Sequence, residues 1–169
     1  MKRNGFTLME LMIAIAIIAV LSTVGLVIYS KATSKGRDGK RIADLEEVKL
    51  ALVQYRTVNN GKVCLQDPTT GTCSWRISFF HPVYGDPGSD PNVSLTAILL
   101  PKYMQKIPHD PLYSGTVQDY AFVVSADGVQ FYITARLDNP PTNPQCNIST
   151  IPFRYLIMGP FKQNYCVTE

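Results

Sequence analysis

From Phe6 to Tyr29 the sequence carries one charged side chain, Glu10, in a run of about 24 residues, and a basic leader, Met1-Lys2-Arg3-Asn4-Gly5, precedes it. As a helix rising about 1.5 Å per residue, this run reaches about 36 Å, enough to cross the roughly 30 Å hydrocarbon core of a bilayer. A secretory signal peptide has a shorter apolar region that ends in small residues at a cleavage site. No such site closes this run. A chain built around it must keep the segment in lipid or cover it with other helices. Glu10 is the anomaly, because a carboxylate in a membrane helix is costly unless it gains a partner or a proton.

The stretch Lys2-Arg3-Asn4-Gly5-Phe6-Thr7-Leu8-Met9-Glu10-Leu11-Met12 resembles the amino-terminal signature of type IV pilins and the related pseudopilins. The resemblance implies cleavage by a prepilin peptidase between Gly5 and Phe6, N-methylation of Phe6, and a role for Phe6, Thr7 and Glu10 in subunit assembly. In filaments of that family the matching glutamate pairs with the terminal amine of a neighbouring subunit. By that analogy the charge of Glu10 is satisfied only on assembly and sets the register between subunits. Many pilins have a proline at the position matching Val27. Its absence here leaves the usual kink without a cause.

The helix is expected to continue past the apolar run. Ile42, Leu45, Val48, Leu52 and Tyr55 recur at steps of three and four, an apolar stripe on an otherwise charged helix. Asn59-Asn60-Gly61 supplies a stop signal. A spine from about Thr7 to Val58 has two halves with different needs: the first is apolar all round, and the second needs a sheet against one stripe. Ser22, Thr23 and Gly25 are weaker helix formers that allow local unwinding when the helix leaves the membrane. Lys31, Lys35, Arg37, Lys40 and Arg41 read as a solvated helix face or a contact to lipid headgroups rather than a DNA-binding patch. A bare positive-inside count would place them in the cytoplasm; the leader and the cysteines argue for the opposite side.

Beyond the spine, the segment from Cys64 to Pro91 is rich in Pro, Gly, Asp and Ser and reads as turns with little regular structure. Ser94 is a candidate cap for a short helix from Leu95 to Leu100, ended or kinked by Pro101. The segment Lys102 to Pro111 resembles the one before the sheet in pseudopilin-like proteins. Tyr120 to Ser125 and Val129 to Leu137 alternate as strands around Ala126-Asp127-Gly128, a hairpin signal, and Phe153 to Met158 reads as a third strand. The expected fold class is α+β: a long helical spine packed on a small antiparallel sheet, with a pilin-like arrangement. Its parts are a leader (1–5), a membrane or filament-core helix (6–29), the amphipathic half of the spine (30–60), a connecting loop region with a short helix (61–118), and the sheet with a carboxyl-terminal disulfide loop (119–169).

Cys64, Cys73, Cys146 and Cys166 all lie beyond the apolar run. An even count on one side of a membrane points to disulfides in an oxidising compartment. Three connectivities are open; the sequential pairs Cys64–Cys73 and Cys146–Cys166 are favoured, the second closing a ring worth roughly 3 kcal/mol in the chain-entropy model. A carboxyl-terminal disulfide loop also resembles many type IV pilins. The spacing has no Cys-x-x-Cys pair and no histidine beside either cluster, which argues against zinc.

No enzyme chemistry is legible. His81 and His109 are the only histidines, and neither falls in a metalloprotease-like pattern; no phosphate-binding glycine loop is present. No cofactor is expected, although Asp86-Pro87-Gly88-Ser89-Asp90 offers oxygen ligands of the kind calcium takes. The net charge of +3 is too small to demand a polyanionic partner, so nucleic acid is not expected as a primary partner. The resemblance implies a structural subunit of a type IV pilus-like extracellular filament, polymerised through its amino-terminal helix. Its partners would be other copies of the chain, the prepilin peptidase and the pilus or secretion assembly machinery. It would sit in the inner membrane, carboxyl-terminal domain outside the cytoplasm, before joining a cell-surface filament. The alternatives are a pseudopilin of a type II secretion system and, from another class, a monomeric membrane-anchored binding domain.

Overall fold

The computed structural model describes residues 5–63, 76–79, 95–113, 119–125, 127–142 and 163–168. The chain divides into two units, Met1–Gly36 and Arg37–Glu169. Helix α1 is continuous from Leu8 to Val58, 51 residues. In the single chain the helix runs unbroken through Ser22, Thr23 and Gly25, and the Thr23 hydroxyl donates to the Val20 carbonyl at 2.8 Å, so a polar side chain is satisfied along its own helix.

Within the first unit, the large apolar side chains from Leu8 to Tyr29 are exposed all round the helix. An 18-residue window within α1 has a mean hydropathy of 2.9 with none of it buried, and α1 is the one helix among the described residues long and apolar enough to cross a membrane.

In the second unit the helix is amphipathic, and the stripe read from the sequence is the one it buries. Leu45, Val48, Ala51, Leu52 and Tyr55 join the core, with Ile42 half-buried against it. The helix ends in a Schellman-type cap. The Arg56 carbonyl accepts from Gly61 N–H at 3.1 Å, and Asn60 and Gly61 take positive φ, 53° and 76°, the left-handed region that asparagine and glycine reach most readily.

The stripe packs against an antiparallel sheet with strand order β1-β2-β3-β4, formed by β1 (Arg76–Phe79), β2 (Ala121–Val124), β3 (Phe131–Ala135) and β4 (Tyr165–Thr168). Register sets which side chains share a face. Phe122 lies opposite Ile133, and Val124 opposite Phe131; Ile133 pairs with Val167, and Ala135 with Tyr165. All seven of these residues belong to the core. The other face, with Ala121, Val123, Thr134 and Cys166, is buried as well.

The hairpin signal is realised as β2 and β3. Their connection is fixed by Gly128 N–H donating to the Ser125 carbonyl at 2.9 Å, with Gly128 at a φ of 74°. The Asp127 carboxylate anchors the same turn, accepting from the Ser125 hydroxyl and from Val129 N–H.

Three features depart from the sequence expectations. Strand β1 lies within the stretch read as turns with little regular structure. Helix α2 (Leu95–Leu99) stops a residue earlier than expected, before a cis Leu100–Pro101 peptide. Strand β4, not foreseen, pairs with β3 at the carboxyl end; the expected strand Phe153 to Met158 lies outside the described residues. Cys166 is disulfide-bonded, but Cys64, Cys73, Cys146 and Ser94 also lie outside them, as do His81 and Asp86 to Asp90.

Candidate functional site

Two clusters of polar side chains stand out, one in each unit. The first is at the start of α1. Thr7 occupies the position before the first helical residue, and Glu10 is three residues on, the spacing of a capping box. The Thr7 N–H and hydroxyl both donate to Glu10 Oε2 at 2.8 Å, and Glu10 N–H donates back to Thr7 Oγ1 at 3.3 Å. The helix thereby satisfies two of its open amide donors with its own side chains.

In the single chain Glu10 therefore has hydrogen-bond donors in Thr7 but no countercharge among these contacts. A Thr-x-x-Glu signature was legible in the sequence and went unread. Cleavage between Gly5 and Phe6 would leave the box intact, because its backbone donor belongs to Thr7. Phe6 is 90% exposed, and a Cβ added to Gly5 would meet nothing within 4 Å beyond its chain neighbours.

The second cluster is the clasp around Arg41, which is 3% exposed. Its Nε donates to Asp110 Oδ2 at 2.7 Å and its Nη2 to Asp110 Oδ1 at 3.2 Å, a two-pronged pair, while Nη1 donates to Asp38 Oδ1 at 2.9 Å. Asp138 Oδ2 lies 3.2 Å from the same Nη1 and 2.8 Å from Arg37 Nη2. Asp38 in turn accepts from the backbone of Asp138 and Asn139, each at 2.8 Å, and from the Asn139 side chain at 3.0 Å. One turn of helix thus holds both the loop after β3 and the loop before β2. The reading of these cations as a solvated face fails for Arg41 and for half-buried Arg37.

Electrostatics follow from the bonding. Burial pushes the Asp38 carboxyl up, but the hydrogen bonds from Asp138, Asn139 and Arg41 outweigh it and hold the group below the usual carboxylate range. Burial lowers the affinity of Arg41 for its proton; the bonds and charge of Asp110, with Asp38 and Asp138, more than reverse this and raise it.

Asp119 lies close by. Burial raises its carboxyl above the ordinary range despite bonds from His109, Asp110 N–H and Tyr120 N–H. His109 Nδ1 sits 2.7 Å from Asp119 Oδ2, and its ring stacks on Tyr113 with centroids 4.9 Å apart. This is a structural network: each carboxylate organises backbone donors or a cation, and His109 is tied to one of them. Among the described residues, no group of three or more His, Cys, Asp or Glu side chains is placed to hold a metal ion.

A long amino-terminal helix, apolar in its first half and packed through its second half on a small antiparallel sheet, is an α+β arrangement of the pilin type. Residues 1–26 match the family model described as the prokaryotic N-terminal methylation motif. The chain is 36% identical over 69 residues to a probable minor fimbrial protein of Dichelobacter nodosus, covering 41% of this chain and 38% of that one. It is 36% identical over 72 residues to the type IV major pilin protein PilE1 of Neisseria gonorrhoeae, 43% of each. The matches thus span about two fifths of the length of these relatives. No solved structure matches the chain.

Proposed function

We propose that the chain is a structural, non-enzymatic subunit of a type IV pilus-like filament. It is cut by a prepilin peptidase between Gly5 and Phe6, methylated at Phe6, and polymerised through the first half of α1. The observation that carries this reading is the conjunction of the methylation-motif match at residues 1–26 with a helix whose apolar first half is uncovered on every side. Such a surface needs lipid before assembly and neighbouring helices after it. The pilin and fimbrial names of the relatives support the same reading, with the inner membrane as the site before assembly and the cell surface as the site after it.

Glu10 is assigned the pairing role in assembly. Its carboxylate, held by Thr7, is presented one turn from the new amine of Phe6, and a neighbour's amine supplies the countercharge that Thr7 cannot. Two disulfides, Cys64–Cys73 and Cys146–Cys166, complete the proposal. The test is filament yield from cells expressing Glu10→Leu at the wild-type level. Membrane accumulation of the variant with loss of sheared filaments is expected; wild-type yield would overturn the role of Glu10.

A further inference from the structure

Lys31 and Lys35 lie on α1 just past the apolar run. From Leu11 to Arg37 the sequence has no carboxylate, and these two lysines are its cations before Arg37. Both are exposed, and neither forms an ion pair with a described residue, whereas Arg37 and Arg41 are taken up by the clasp. Four residues apart, the lysines are neighbours on the helix surface. The hydroxyls of Thr33 and Ser34 donate to the carbonyls of Tyr29 and Lys31 at 2.9 and 3.1 Å. The polar groups between the lysines are thus tied to their own helix, while two ammonium heads reach outward.

Height along the helix decides what those heads meet. Tyr29 closes the apolar run and is 72% exposed; a ring with a polar tip is the residue type enriched at membrane boundaries. Glu10 lies 19 residues before it, about 29 Å along a helix, which matches the roughly 30 Å hydrocarbon core of a bilayer. With Tyr29 at one edge of that core, Glu10 stands at the other. Lys31 and Lys35 then rise about 3 and 9 Å past the Tyr29 edge, where the headgroup layer is about 5–7 Å deep. Side chains on a helix lean toward its amino terminus, which brings the Lys35 head back into that layer. A second copy lying level with the first presents two more lysines at this height and no carboxylate, since Glu10 is the one acid of the described residues before Arg37. The phosphate of a lipid headgroup supplies the negative charge that the protein does not.

We infer that Lys31 and Lys35 together bind the phosphate of an anionic phospholipid headgroup, at the carboxyl-terminal edge of the membrane-spanning half of α1. The inference rests on the reading that this half of the helix lies in lipid before assembly.

The test follows the Ala32 and Ser34 backbone amides by NMR in the full ¹⁵N-labelled chain, held in phosphatidylcholine nanodiscs with a rising fraction of phosphatidylglycerol. A saturable shift is expected. Lys31→Gln and Lys35→Gln, both at exposed positions, should each raise its midpoint about fivefold, the scale of one basic residue near an anionic surface. Lys40→Gln, which removes an equal charge from the second unit, should leave the midpoint unchanged. Inorganic phosphate added to pure phosphatidylcholine discs should give no shift.

No saturable shift, or an unchanged midpoint in both lysine variants, would overturn the site. An equal rise in Lys40→Gln would do so too, because it would mark a diffuse surface potential, and an equal shift with inorganic phosphate would mark a site for soluble anions instead. Amide exchange of Leu11 to Leu26 in the same discs separates the two readings. Protected amides without the saturable shift would remove the lysine site alone; exchanging amides would remove the membrane-spanning helix with it.

Discussion

Arg41 ties Asp38, Asp110 and Asp138 into one network. With its guanidinium removed, Asp110 and Asp38 would stay buried without their countercharge, and breaking a buried pair from one side costs about 3–5 kcal/mol. Arg41→Leu should therefore lower the unfolding free energy by that amount, seen as a large fall in Tm of the full chain in detergent; a fall within that of an ordinary surface substitution would contradict the clasp. The pH dependence has a definite sign. The Asp38 carboxyl lies below its ordinary value in the folded chain, so its contribution is complete above the unfolded value of about 3.9 and is lost as pH falls through the lower folded value. Asp38→Asn should be less stable at neutral pH and show a flatter acid limb below about pH 4, measured by denaturant melts across pH. Asp119, raised by burial, works in the opposite direction, since the folded state gains as this carboxyl takes up its proton. At the start of α1, Thr7→Val keeps the shape but removes the hydroxyl that both donates to Glu10 and accepts from it. Amide exchange of Leu8 to Glu10 should quicken in that variant, with the rest of the helix unaffected. None of the clasp was legible: Arg41 and Asp110 are 69 positions apart, and periodicity is blind to such pairings. Arg41 therefore read as one more cation on a charged helix.

At the scale of elements, legibility tracked length. The apolar run and the stripe from Ile42 to Tyr55 repeat over many turns, so α1 and its buried face were readable, as was the stop at Asn59-Asn60-Gly61. Gly61 has a φ of 76° with open space around it, so Gly61→Ala should cost about 1 kcal/mol through backbone strain alone. Asn60→Gly should be neutral or mildly stabilising; thermal melts of both variants check the pair. The hairpin was legible because Asp127 and Gly128 mark its turn. Strands β1 and β4, four residues each, were not. Their pairing comes from β2 and β3 rather than from any local pattern, and β1 sits among turn-forming residues. Asn164 shows how the sheet continues past its ladder. Its side chain accepts from Leu137 N–H at 2.7 Å and donates to the Leu137 carbonyl at 2.9 Å, filling the place of the next residue pair.

For the whole molecule, the central claim is that this chain is made to be cut and assembled. One unit carries the uncovered apolar helix, and the other has a closed core locked by a buried ion network. The methylation motif was legible because the leader, Gly5, Phe6 and Glu10 fall in a short contiguous pattern; the clasp around Arg41 was not, because its groups come from separate loops brought together only by folding. The most direct measurement is the intact mass, without reduction, of material sheared from cells expressing the chain at native level. The account predicts a mass lacking Met1 to Gly5, carrying one methyl group on Phe6, and short of four hydrogens for two disulfides. Sheared or membrane-bound chain that still begins at Met1 would contradict it.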